Sequence, residues 1–336
     1  MMEAKMTQSL QMDFVQSQHR SSLSRLANLQ VFWVFLAAVL ACVALSFMTD
    51  AFATERNIFN VARNFAFVAI IAIGMTAVIA SGGIDLSVGS TVVVTAMVIS
   101  VLMAGGNPFW FSAICALGAA LLVGFINGVL IAYAGMPPFV VTLGMLSAAR
   151  SSAMVLSDNK MMWEFGPDHD LLLWVGGGAT YGLPHPLYAV LSLAVVMTVV
   201  FRWTRWGQYV FAIGGNEQAA ILTGIPVKRL KVSIYMFSAF TAGITGILMA
   251  GWLGSVTTNL GTAMELTVIA AAVIGGANLA GGEGTALGAV VGALLIEVIR
   301  NSLILLGIST FWQGMFIGTF IVIAVAFDRI RHMRTD

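Results

Sequence analysis

The chain has 336 residues, of which 59% are hydrophobic and 9% charged, with a mean hydropathy of +0.93. Soluble domains carry about 25% charged residues, so this composition excludes an ordinary soluble domain and places most of the chain in lipid. The net charge of +1 leaves no basic face to neutralise phosphates and excludes a nucleic-acid partner.

Taken in order, the chain opens with a polar tail over residues 1–30 and then becomes almost continuously apolar. A spanning helix needs about 20 mainly apolar residues. Runs of that order lie at 31–49, 59–80, 87–104, 111–134, 138–156, 187–203, 232–253, 265–281, 286–306 and 311–328, and a short tail follows at 329–336. The run from residue 31 is long enough to span and lacks a small-residue cleavage site, so it reads as a span and not as a signal peptide. The pattern predicts an all-α polytopic membrane protein with ten transmembrane helices over 31–328, the glycine-rich one at 265–281 being the weakest. Cys42 and Cys115 both lie inside apolar runs and read as packing residues.

The stretch VIASGGIDLSVGS at 78–90 interrupts this pattern. Gly82 and Gly83 end one helix, and Asp85 reads as the cap of a helix beginning at about Leu86, since Asp is a favoured N-cap residue. A second reading has the break facing a water-lined pathway, where irregular backbone is tolerated at depth. An ionisable residue in the membrane is costly to bury and is a functional candidate by default. Asp85, Asn127, Arg150, Glu265 and Asn278 are the candidate pathway residues. Arg150 reads either as the partner of a carboxylate such as Glu265 or as a residue near the outer mouth. Asn278, in GGANL at 275–279, stands where Asp85 stands in GGIDL at 82–86, a same-direction echo or a coincidence of glycine-rich sequence. Glu297 and Arg300, three apart on one helical face, read as a mutually neutralising pair. The glycines at 118, 124, 128, 243, 246, 288 and 292 read as helix-packing positions.

Two hydrophilic stretches separate the spans. Residues 157–186 are acidic and rich in Gly and Pro, and fall outside. Their Asp168-His169-Asp170 run cannot easily converge on one ion, so it reads as a solvated loop or a docking surface and no metal is expected. Trp163, Trp174 and Tyr181 read as interfacial aromatics. Residues 204–231 fall inside and are basic. There Gly214 and Gly215 turn the chain, Asn216 is a natural N-cap, and Glu217 sits in the first turn of a short helix. Gly224 then stops that helix and Pro226 prevents its resumption. The orientation rests on Lys5, Arg20, Arg25, Arg202, Arg205, Lys228, Arg229, Lys231, Arg329, Arg331 and Arg334, all on one side, against Arg56 and Lys160 on the other. The positive-inside rule then puts both termini in the cytoplasm.

GGNEQAAILTGIPVKR at 214–229 resembles the coupling loop of ABC-importer permeases, in the branch that takes up ribose and related monosaccharides. That branch also carries SGGIDLSVGS after its second span, and its C-terminal third resembles residues 275–314 here. The resemblance runs from about residue 55 to 328. It implies a permease of the bacterial inner membrane, acting with a second permease copy or paralogue, a separate cytoplasmic ABC ATPase and a periplasmic sugar-binding protein. It assigns the coupling role to Gly215, Asn216, Glu217, Ala219, Ala220 and Gly224. Family members commonly have an aspartate where Thr267 stands and a basic residue near Glu283, so that local network is not carried over. The four lysines, Lys5, Lys160, Lys228 and Lys231, include none in a phosphate-cradling G-x-x-x-x-G-K-[ST] loop. The chain is therefore expected to be no enzyme and to hold no cofactor, ATP being bound by the partner. Three rival readings are a related permease for branched-chain amino acids, an ion-coupled sugar carrier, which leaves the coupling loop without work, and a membrane-embedded enzyme, for which the sequence shows no His/Asp/Ser constellation.

Overall fold

The computed structural model describes residues 30–309 together with 312, 314, 315, 318 and 319. Among these residues the chain forms twelve helices and one small hairpin: α1 Gln30–Met48, α2 Glu55–Ala80, α3 Val88–Ala104, α4 Phe109–Ala132, α5 Pro138–Leu156, α6 His169–Gly177, β1 Ala179–Thr180, β2 Leu183–Pro184, α7 His185–Trp203, α8 Arg205–Gly215, α9 Glu217–Leu222, α10 Val227–Leu253, α11 Met264–Ile274 and α12 Ala286–Leu305. Seven of them, α1, α2, α4, α5, α7, α10 and α12, are long and apolar enough to cross a membrane, while α3 and α11 are shorter apolar helices. The expected tenth span at 311–328 falls almost wholly outside the described residues, as do the N-terminal tail up to residue 29 and the tail at 329–336.

The bundle is built around α2 and α10. Every residue of α2 from Phe65 to Ala80 is buried, as expected of a helix that is apolar on all faces. The 27-residue α10 packs against α2, α3, α4 and α6. Small residues set these approaches. A Cβ on Gly124 of α4 would lie 2.7 Å from the Met236 Cα, and one on Gly128 would lie 2.6 Å from the Val232 Cα. Gly118, also on α4, meets open space, so it is not the packing position that its spacing suggested.

Two further departures from expectation shape the molecule. The 157–186 stretch is no plain solvated loop. It carries α6, whose Leu172 is fully buried and whose Gly176 packs on α10, and a hairpin turned through Tyr181 and Gly182, both at positive φ. Asp168 accepts a hydrogen bond from the Phe109 N–H at 2.8 Å, and His169 stacks on Phe165. The second departure is that the span expected at 265–281 is helical only from Met264 to Ile274. Before it, residues 254–263 turn back into the bundle. Gly261 packs backbone to backbone against Gly89 near the start of α3, about 22 Å of helix below Ala104 at 1.5 Å per residue. From there α11 runs on for about 16 Å to Gly275, which packs on Gly288 in the first turn of α12. Gly261 therefore sits at mid-depth.

Overpacking the α4–α10 contact should be costly. Gly124→Ala should lower stability by about 1–3 kcal/mol, whereas Gly118→Ala should leave it unchanged or slightly raised. Thermal unfolding of the detergent-solubilised protein measures both.

Candidate functional site

At one end of the bundle α8 and α9 form an arm capped at every joint. Thr204 accepts the Gly207 N–H at the start of α8 at 3.3 Å. Asn216 Oδ1 accepts the Ala219 N–H at 2.9 Å, which makes Asn216 the N-cap of α9 and places Glu217 where a carboxylate favours the helix dipole. Glu217 takes two hydrogen bonds from Lys231 Nζ, at 2.7 and 2.8 Å, tying α9 to the first turns of α10. Gly224 stops α9 at a φ of 83°, with its own N–H on Ile221 O and the Ile225 N–H on Ala220 O, the paired bonds of a Schellman stop. Ala220 is buried against the bundle, while Ile221 and Leu222 point away, Leu222 with 88% of its surface exposed. Beside α9 lies a groove of about 730 Å³ lined by Tyr133, Met136, Glu217, Ile221, Lys228 and Lys231. The six expected coupling residues, Gly215, Asn216, Glu217, Ala219, Ala220 and Gly224, thus fall in one turn–helix–turn.

A second polar centre lies inside the bundle. Asp85 is 1% exposed. Its Oδ1 accepts the Ser87 N–H at 2.9 Å and the Ser87 hydroxyl at 2.6 Å, and its Oδ2 accepts the Ser238 hydroxyl of α10 at 2.9 Å. Asn127 of α4 donates to Ser87 Oγ at 2.9 Å. One chain of side chains thereby joins α3, α4 and α10. Helix α3 begins at Val88, not at Leu86, and its N-cap is Ser87. Asp85 precedes that cap and closes a side-chain turn onto it. The break is formed by a Schellman stop, with the Gly82 N–H on Ile79 O and the Gly83 N–H on Val78 O.

The other candidates lie apart from this centre. Arg150 of α5 donates to the Thr258 and Leu260 carbonyl oxygens at 2.9 and 3.3 Å, and the Glu265 charge lies near enough to act on it without a direct ion pair. Glu265 stands at the start of α11 with Oε2 buried against the Gly89 Cα region. Asn278 lies in the 275–285 segment and repeats the local geometry of Asp85, its Oδ1 accepting the Ala280 N–H at 2.9 Å. The preceding helix α11 also ends in a Schellman stop, the Gly276 and Ala277 N–H groups bonding to Val273 O and Ala272 O. The GGIDL and GGANL echo is thus one stop-and-turn built twice.

Several polar contacts were not anticipated from the sequence. Asn57 of α2 and Asn301 of α12 exchange amide hydrogen bonds at 3.1 and 2.8 Å. Glu297 is buried, hydrogen-bonded by Asn64 and close to the Arg300 charge, so α2 shares in what spacing alone assigned to α12. Arg63 lies 4.4 Å above the Trp252 ring. Asn57, Asn60 and Asn64 recur at helical spacing on α2, the signal that would have revealed a polar stripe there.

A bundle of apolar helices with internal breaks and an externally presented, capped short helix defines a multi-pass membrane transport subunit. The chain belongs to the family described as branched-chain amino acid transport system / permease component, which matches residues 57–325. Among its relatives is the ribose import permease protein RbsC of Bacillus subtilis, 36% identical over 88% of this chain and 91% of the relative. The fructose import permease protein FrcC of Rhizobium meliloti is 35% identical over 80% of this chain and 76% of the relative. The L-arabinose ABC transporter permease protein AraH of Azospirillum brasilense is 32% identical over 92% and 88%, respectively. No solved structure matches the chain.

The geometry around Asp85 sets the outcome of replacing it. Asp85→Asn keeps an acceptor for Ser87 and turns an amide towards Ser238, whose hydroxyl can accept as well as donate, so stability and uptake should stay near wild type. Asp85→Ala strands three buried donors at about 1–3 kcal/mol each, and should lower both the melting temperature and the amount of folded protein. Melting temperature and uptake measured on the pair check this.

Proposed function

We propose that the chain is the membrane-spanning permease of an ATP-driven importer of a monosaccharide or related polyol. It takes its cargo from a periplasmic binding protein, works beside a second permease copy or paralogue, and draws its energy from a separate ATPase that docks on α9. The observation that carries this reading is the capped α9, with Ile221 and Leu222 turned outward beside a groove, in a chain whose relatives import ribose, fructose and L-arabinose. A six-residue helix fixed by Asn216, Gly224 and the Glu217–Lys231 pair is a rigid handle. Force applied to it is passed to the bundle and not absorbed by a loop.

The same reading sets the orientation. The α9 end carries Lys228, Arg229 and Lys231 and faces the cytoplasm, while α6 and the Tyr181–Gly182 hairpin face the periplasm. ATP is bound by the partner subunit, consistent with the lack of a phosphate-cradling loop in this sequence.

Two experiments test the reading. Glu217→Lys places two cations together, and Gly224→Val forces a β-branched residue to positive φ, about 1–2 kcal/mol of local strain. Both should abolish uptake while leaving the permease inserted, and unchanged uptake together with normal ATPase co-purification would refute the docking role. For the orientation, a cysteine at Tyr181 should react with an impermeant thiol reagent applied to intact cells, and one at Leu222 should react only in inverted vesicles.

A further inference from the structure

Asp85, Ser87, Asn127 and Ser238 inside the bundle are engaged with one another, yet a second set of polar groups at mid-depth is left uncovered. The 254–263 segment descends to the level of Gly89, and there Thr257, Asn259, Thr262 and Ala263 are exposed. Arg150 ties this segment to α5 through the Thr258 and Leu260 carbonyl oxygens. Next to it, α5 turns Gly144, Ser147, Ala148 and Ser151 outward at helical spacing, with Leu143 one turn before Ser147.

Other outward faces at comparable depth are of a different kind. Helix α1 shows Phe35 and Leu40, α4 shows Leu122 and Phe125, and α7 shows Val195 and Val196. Those faces suit hydrocarbon. Non-helical backbone at membrane depth does not, because lipid supplies no hydrogen bonds to it; it occurs only where protein buries it or where it lines water. Among the described residues nothing covers Asn259 or Thr262.

We infer that the 257–263 segment and the serine side of α5 line a water-filled route through the middle of the bilayer, with Asn259, Thr262, Ser147 and Ser151 offering neutral hydrogen-bonding groups to a polyol. The inference rests on the proposed import of a sugar. Amide and hydroxyl groups both donate and accept, which matches a cargo of many hydroxyls and no charge. The route has its opposite wall on another polypeptide, and the proposed assembly supplies one in the second permease subunit. The entry of a broken backbone to mid-depth also follows the way transporters place binding segments, at the point where helices are interrupted.

The test uses the full chain in membranes with its ATPase and binding protein, after Cys42→Ala and Cys115→Ala. Single cysteines replace Ser147, Asn259 or Thr262, with Leu122 and Val195 as controls on apolar faces. The probe is a negatively charged methanethiosulfonate, which reacts with the thiolate and therefore needs water at the site. The three route positions should react at least about tenfold faster than the controls, since a thiol in apolar surroundings stays protonated. Ribose, fructose or L-arabinose, whichever the complex imports, should slow that labelling. Labelling at the route positions as slow as at Leu122 and Val195 in an assembled complex would overturn the inference. Fast labelling that no imported sugar slows would overturn the polyol route while leaving sugar import standing. Uptake of none of these sugars or of related polyols would instead count against the proposed function, and the labelling rates would still report whether the face is wet.

Discussion

Lipid offers no hydrogen bond to a peptide group, so each place where this chain leaves the helix inside the bilayer has to be completed from within. The structure meets that constraint in the same way at two of its glycine-marked stops. After α2 and after α11 a Schellman pair returns the last N–H groups to the helix, and an Asp or Asn side chain then catches the N–H two residues on. The third interruption, at 254–263, has no such stop-and-turn. Two of its carbonyl oxygens are taken by Arg150, a half-buried cation reaching across from α5. A guanidinium aimed at two carbonyls does for a loop what a cap does for a helix end.

These interruptions are not independent of the arm that carries α9. The Ala80 carbonyl, at the end of α2, accepts the Gly282 N–H at 2.9 Å. Gly214, near the end of α8, packs against that same carbonyl so closely that a Cβ would overlap it. Three backbones therefore meet at one point: the stop before Asp85, the segment after Asn278, and the joint before Asn216. Contacts made by backbone atoms alone leave no side-chain rotamer to absorb a displacement. The joint before α9 thus bears directly on the point where α2 gives way to the Asp85 turn.

Much of this was legible in the sequence because it is local chemistry. The apolar runs mark the helices, Asn216 and Gly224 bound α9, and Gly82-Gly83 marks the stop after α2, whereas the stop after α11 at Gly275 was not anticipated. What escaped was tertiary. Residues 254–263 fall between the apolar runs at 232–253 and 265–281, and nothing in the composition of SVTTNLGT says that Gly89 will admit its backbone at mid-depth. Helix α6 escaped for the opposite reason. HDLLLWVGG is too short and too flanked by Gly and Pro to declare a helix, and it forms one because Leu172 and Gly176 find α10 to pack against. Asp85 was correctly singled out as a residue that needs a reason, but periodicity could not show that Ser238, far along the chain, would supply the second half of its hydrogen bonding.

The cost of burying polar groups then separates scaffold from surface in a way that charge alone does not. Ionisable residues are the expensive ones, and default suspicion falls on them. Here Asp85 is enclosed by Ser87 and Ser238, Glu297 is held by Asn64, and Arg150 is directed at backbone. A buried carboxylate bound as Asp85 is acts as a fastener, since releasing it to a passing solute would strand the groups that hold it. Neutral hydroxyls and amides can exchange partners with water or cargo at little net cost, because each bond given up is replaced by one of similar strength. Exposed Ser147, Ser151, Asn259 and Thr262 belong to that second class. On the inferred route, a weakly binding wall of this kind would let an uncharged polyol leave as readily as it enters.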